Sequence, residues 1–151
     1  MKNVPGVSMP ISKESIHAPN VLNEPIEYGN AFSRAVKANV GEATFFFISG
    51  TASVDEEGKT YCPNDFSKQV ERTFTNLTAL LQAGGADWHD VVQTRCYLKD
   101  MKCYEEFNVF RTCFYKEHNL DPFPASVAVQ ATLCRPDLLI EIEANAIIKP
   151  A

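Results

Sequence analysis

Residues Leu138–Ile148 read LLIEIEANAII. Successive side chains of a β-strand point to opposite faces. Ile140, Ile142 and Ala144 therefore share one side, and Glu141 and Glu143 the other. A strand with one apolar and one carboxylate-bearing side belongs to a sheet whose two faces meet different surroundings.

Working back from this strand, Arg135–Asp137 reads as a turn and Ser126–Leu133 (SVAVQATL) alternates as another strand. Pro122 and Pro124 close a loop after a helix predicted from about Met101 to His118, with Tyr104, Phe107, Phe110 and Phe114 on one side. Val91–Leu98 (VVQTRCYL) reads as a strand behind the polar loop Asp87–Asp90. Phe66, Val70, Phe74, Leu77 and Leu81 form the apolar stripe of an earlier helix. Asn64 or Asp65 caps its start, and Gly84-Gly85 ends it. Thr44–Ser49 (TFFFIS) is an apolar strand stopped by Gly50, followed by the turn Asp55–Gly58. Ser33–Lys37 can be a short strand. Residues 1–30, with Pro5, Pro10, Pro19 and Pro25, read as irregular apart from a short strand at Lys13–His17.

The order β, β, β, α, β, α, β, β within 151 residues predicts a single α+β domain spanning residues 1–151. Short links make the early strands an antiparallel meander. Two helices cover only one face of such a sheet. The uncovered face, partly polar, predicts packing between subunits with a site in the seam.

Hydrophobic residues make up 45% and charged residues 22%, a composition that excludes bulk disorder. The longest apolar run, Phe45–Ile48, is far short of the roughly 20 residues a membrane helix needs. The net charge of −5 argues against a nucleic-acid partner. Five cysteines, an odd number without a CxxC pair, read as reduced thiols of a cytoplasmic protein, and MKNVPGVSMP carries no apolar signal core. His89 with Asp87 and Asp90 reads as a polar turn in preference to a metal site. His17, His89 and His118 fall in loops or early segments, so no Ser-His-Asp order can be argued.

Several short motifs stand in a specific order: Phe47-Ile48-Ser49-Gly50, Gln69, Asn76-Leu77, Ala83-Gly84-Gly85-Ala86, Tyr97-Leu98-Lys99-Asp100-Met101, Phe107-Asn108-Val109-Phe110, Pro124-Ala125 and Glu141-Ile142-Glu143-Ala144. Together they resemble the RidA/YjgF family of small imine deaminases over about residues 31–146. The resemblance implies a chorismate-mutase-like sandwich, with a mixed six-stranded sheet and two helices on one face. It also implies a homotrimer with clefts between subunits, and cofactor-free hydrolysis of a small-molecule enamine or imino acid. In such a family an arginine grips the substrate carboxylate, which a planar guanidinium does as a bidentate pair. A tyrosine near the N-terminus and a glutamate on the last strand place substrate and water. Here Glu141 matches the glutamate, Phe32 stands at the tyrosine's place and Ala125 at the arginine's. The segments Ile48–Ser53 and Leu133–Glu143 also resemble the C-terminal half of chorismatases. In those enzymes a cysteine seven residues before the glutamate takes part, the spacing of Cys134 and Glu141 here.

The candidate catalytic residues are thus Glu141 and Cys134. Burial would raise the Glu141 pKa into a useful range for proton transfer. Arg135 beside Cys134 would favour its thiolate. Arg95 is unusual in mid-strand and stands as a substitute anion clamp or a salt-bridge partner. Arg135 and Arg34 are the other candidate clamps. Phe32, Phe45 and Phe123 could wall a ring, and Ser33, Thr51 and Ser126 could donate hydrogen bonds to an acid. Three functions stay open: a deaminase of altered substrate range, a lyase, hydrolase or isomerase on a cyclic unsaturated acid, and a metabolite-binding trimer without turnover.

Overall fold

In the computed structural model, residues 11–148 are described. Their order is β1 (Ser12–Ile16), β2 (Ala35–Val40), β3 (Ala43–Ala52), α1 (Phe66–Ala83), β4 (Val91–Leu98), α2 (Tyr104–Glu117), β5 (Ala125–Gln130) and β6 (Ile140–Ile148). The six strands form one sheet in the order β1-β2-β3-β6-β4-β5. β1, β2 and β3 are the expected antiparallel meander. β6 inserts antiparallel between β3 and β4, and β4 and β5 are parallel, joined over α2. A parallel pair needs such a crossover, so the sheet is mixed.

Register assigns the faces. Phe46 lies opposite Ala146, Ile48 opposite Ala144, Cys96 opposite Ile142 and Leu98 opposite Ile140. All eight are buried in one core cluster with Val70, Phe74, Leu77 and Leu81 of α1 and Phe107 of α2. Phe74 is its aromatic hub, with ring centroids 5.3 Å from Trp88, 5.2 Å from Phe110 and 4.8 Å from Phe114. Among the described residues no helix covers the opposite face. Phe45, Phe47, Gln93, Arg95, Tyr97, Ala125, Val127, Val129, Glu141, Glu143, Asn145 and Ile147 share it by register.

Local chemistry sets the ends. Asp65 caps α1 by accepting from the Lys68 N–H at 3.0 Å. Gly85, at φ 77°, makes the left-handed exit after it. The expected helix from Met101 is two pieces. Asp100 caps a 3-10 turn over Met101–Cys103, accepting from the Lys102 N–H, and the α-helix begins at Tyr104. β5 stops at Gln130, short of the expected Leu133, where the Gln130 Oε1 accepts the Met101 N–H. Asp87 and Asp90 form a reciprocal capping box around Trp88–Asp90, which gives both carboxylates backbone partners. Among the described residues no helix is long and apolar enough to cross a membrane.

Candidate functional site

The open face is not uniform. β6, which runs between β3 and β4, brings Glu141 beside Tyr97 near its start and Glu143 beside Arg95 further along. β3 carries a bulge here: between the pairs Ile48–Ala144 and Thr51–Ile142, two residues of β3, Ser49 and Gly50, face one of β6, Glu143. Gly50 sits in the bulge, and the Glu141 carboxyl lies over it. A Cβ on Gly50 would stand 1.9 Å from Glu141 Oε1. Glu141 is half-buried. Burial raises its carboxyl above the ordinary carboxylate range, Glu143 adds to the rise, and the Arg34 charge opposes it.

Arg34, just before β2, is 4% exposed. Its Nε donates to the Asn23 carbonyl at 2.9 Å and its Nη2 to Asn23 Oδ1 at 2.7 Å. Burial pushes its pKa down, while Tyr28 and Glu24 counteract. Its Cζ stands 5.8 Å from the Tyr28 ring centre and 5.5 Å from that of Phe32. Arg135 reaches the same tyrosine from the loop before β6. Its Nη2 donates to the Tyr28 hydroxyl, its Nη1 donates to the Gly58 carbonyl at 2.6 Å, and its Cζ lies 5.6 Å from the Tyr28 ring centre. Ser49 fastens this corner to the bulge: its N–H donates to the Arg34 carbonyl and its Oγ to the Ser33 carbonyl.

Four sequence candidates, Glu141, Arg34, Arg135 and Phe32, therefore gather at one corner of the open face, with Ser33 as part of its backbone. Tyr28 completes them and was absent from the sequence candidates. It ends a one-turn helix, Pro25–Tyr28, with Pro at the start and Gly29 at φ 68° after it. That Pro-to-Gly punctuation was the available signal. Arg95 lies on the same face but is paired with Glu143 within the chain, 3.4 Å from Nη1 to Oε2. Burial and the Glu143 charge raise the neighbouring Tyr97 hydroxyl.

Other candidates lie elsewhere. Thr51 is buried opposite Ile142 on the helix side, and its Oγ1 donates to the Ser49 carbonyl at 2.8 Å. Ser126 also faces the helices, accepting from Thr94 Oγ1 at 3.1 Å and Arg111 Nη1 at 2.8 Å. Ala125 is exposed on the open face opposite Gln93. Cys134 is exposed in the loop beside Arg135. Of the proposed aromatic wall, Phe45 lies on the open face at the far end of β3. Phe123 packs instead on Tyr115, ring centres 5.5 Å apart. Among the described residues no group of three or more His, Cys, Asp or Glu side chains is placed to hold a metal ion.

This corner combines a carboxyl raised toward proton transfer with two guanidinium groups bracketing a phenol. Such a set can bind an acid and move a proton to or from water.

Known proteins share this architecture. The chain is 33% identical over 115 residues to a RutC family protein of Pyrococcus abyssi, covering 76% of this chain and 84% of that protein. It is 33% identical over 85 residues to the 2-iminobutanoate/2-iminopropanoate deaminase of Escherichia coli K12, 56% of this chain and 66% of that protein. The crystal structure of the Escherichia coli YjgF gene product superposes with a TM-score of 0.74 at 25% identity, covering 90% of this chain and 99% of that one. A structure of a conserved Rid family protein from Yersinia pestis gives 0.76 at 21% identity, covering 91% and 100%. The family model described as endoribonuclease L-PSP matches residues 23–148, and the chain belongs to this family, the RidA/YjgF family.

Proposed function

We propose that this protein is a cofactor-free hydrolase of the imine-deaminase type, acting on an enamine, imine or related unsaturated acid that differs from small imino acids. The observation that carries this reading is the Glu141 carboxyl, half-buried over Gly50 and raised by its surroundings. Glu141 takes a proton from water as the oxygen bonds to the C=N carbon, and passes that proton to the nitrogen. The carbinolamine hydroxyl then gives up its proton, which Glu141 relays to the amino group as the C–N bond breaks, leaving the keto acid and ammonia. The carboxylate of the substrate is held by Arg135, with Arg34 supplying positive charge behind the Tyr28 and Phe32 rings. This places the anion clamp at a backbone position other than the one where Ala125 stands. The aromatic pair suits a substrate with a planar, conjugated body.

The working unit in this reading is a homotrimer with the site in a cleft between copies. Its support is the open face, where Phe47, Val127, Val129 and Ile147 are 41–49% exposed. Large apolar side chains clustered on one face mark an interaction surface. The test is release of ammonia and a keto acid from a panel of aliphatic and aromatic imino acids generated in situ. The reading expects turnover that Glu141→Gln abolishes. Equal turnover in that variant would overturn the role of Glu141, and no release from any substrate would overturn the activity.

A further inference from the structure

A second group of side chains stands apart from Glu141, at the start of the described chain. Ser15 lies in the edge strand β1, and His17 follows two residues later, just past the strand's end at Ile16. Ser15 Oγ is 2.8 Å from His17 Nε2, and His17 Nδ1 meets Glu24 Oε2.

The surrounding chain holds this arrangement in place. Ile16 and Leu22 are buried anchors. The N–H groups of Val21 and Leu22 both return to the Ala18 carbonyl, which turns the chain so that Glu24 comes back to His17. Glu24 stands at the N-cap position of the Pro25–Tyr28 turn but makes no side-chain cap. Its Oε2 goes to the imidazole, while Oε1 is buried with no hydrogen-bond partner. A carboxylate at Nδ1 selects the tautomer with its proton there, leaving the Nε2 lone pair to accept the Ser15 hydroxyl proton. Serine, imidazole and carboxylate in this sequence of contacts are the activating arrangement for an acyl-transfer nucleophile, recognised by geometry and not by chain order.

We infer that Ser15, His17 and Glu24 form a second reactive site that accepts acyl groups from small activated esters. Ser15 Oγ adds to the ester carbonyl carbon and its proton passes to His17 Nε2. The carbon–oxygen bond of the ester breaks, and the leaving alcohol takes that proton. Water then attacks the acyl-serine, again giving its proton to Nε2, and releases the carboxylic acid with Ser15 restored. Ser15 and His17 are exposed to solvent, so no pocket selects among acyl chain lengths.

The experiment treats the full chain with a fluorophosphonate probe, maps the modified serine by mass spectrometry, and follows p-nitrophenyl acetate hydrolysis in parallel. Labelling is expected at Ser15, lost in Ser15→Ala and slowed about 100-fold in His17→Gln. Ser67→Ala, which alters an exposed serine of α1, should label like the parent. Labelling of Ser15 no faster than in the denatured chain, or unchanged in His17→Gln, would overturn the inference. Ammonia release from imino acids is a separate readout, so failure here leaves the role of Glu141 standing.

Discussion

Gly50 and Glu141 are fitted to each other: a Cβ on Gly50 would lie 1.9 Å from Glu141 Oε1 and 2.9 Å from its Cδ. The clash falls on the far end of a flexible side chain, so the fold can yield by moving the carboxyl. Gly50→Ala is expected to keep a thermal midpoint near that of the parent while losing about 100-fold in turnover, the usual contribution of a positioned acid or base. Circular dichroism melting beside ammonia-release kinetics checks the two halves. A collapsed midpoint would mean that Gly50 serves folding first.

The raised Glu141 carboxyl makes a second prediction whose sign can be worked out. Its folded pKa lies above the unfolded one, so the folded state holds its proton more tightly. Its contribution is most favourable at low pH and is lost as pH rises from the unfolded to the folded value. Glu141→Gln removes the cost of keeping that charge half-buried. The variant should therefore melt higher than the parent at pH 8, with the gain shrinking as pH falls through the carboxylate range. Melting curves from pH 4 to 8 check it, and a gain that grows toward acid pH contradicts it.

Arg135 ties Tyr28 and Gly58 to the loop before β6. If it also grips the acid, Arg135→Ala should raise KM for the imino acid about tenfold or more, since a charge-assisted hydrogen bond is worth about 1.5–3 kcal/mol. Turnover at saturation should change less, because Glu141 keeps its seat over Gly50. Arg135→Lys should recover only part of the loss, because an ammonium lacks the planar fork. Steady-state kinetics on the two variants separates them, and an unchanged KM would remove Arg135 from the clamp.

On the open face, Val127 stands opposite Arg95 and remains 49% exposed. Val127→Glu puts a charge on this face beside the exposed Val129. The proposed trimer should then sediment as a monomer, with secondary structure unchanged. Analytical ultracentrifugation at micromolar concentration decides this, and a parent that is itself monomeric would overturn the trimer.

The sequence made α1, β4 and the two-faced β6 legible because each rests on a period that neighbours along the chain already carry: the Phe66-to-Leu81 stripe, and alternation in VVQTRCYL and IEIEA. The site was legible only in pieces. Glu141 follows from its strand, but Tyr28, Arg34 and Arg135 converge through a short turn, a strand entry and a loop distant in sequence. Thr51 shows the limit most clearly. Simple alternation from Phe47 puts it on the open face, whereas the extra residue in the β3 bulge turns it toward the helices. Ser126 faces the same way because Ala125 pairs with Gln93 and the next residue must face the other side. The Ser15–His17–Glu24 contacts depend on a chain reversal at Ala18 that no periodicity signals.

Gln69 is fully buried near the start of α1, and it secures the loop that delivers Glu141. Its Nε2 donates to the carbonyls of Cys62 and Asp137 at 3.1 and 2.9 Å, and its Oε1 accepts the Leu139 N–H at 2.8 Å. Two of these three partners lie within four residues of Glu141 on the approach to β6. Gln69→Leu keeps the approximate volume but leaves buried backbone groups unpaired, each costing about 1–3 kcal/mol. The variant should lose about 2–4 kcal/mol of stability by urea unfolding. Because the loop also carries Arg135, KM should rise in the folded variant at low temperature. Gln69→Glu separates the two effects: its carboxylate can still accept from Leu139 but cannot donate to Cys62 or Asp137. A Gln69→Leu protein as stable as the parent would show that the loop is held by the β6 ladder alone.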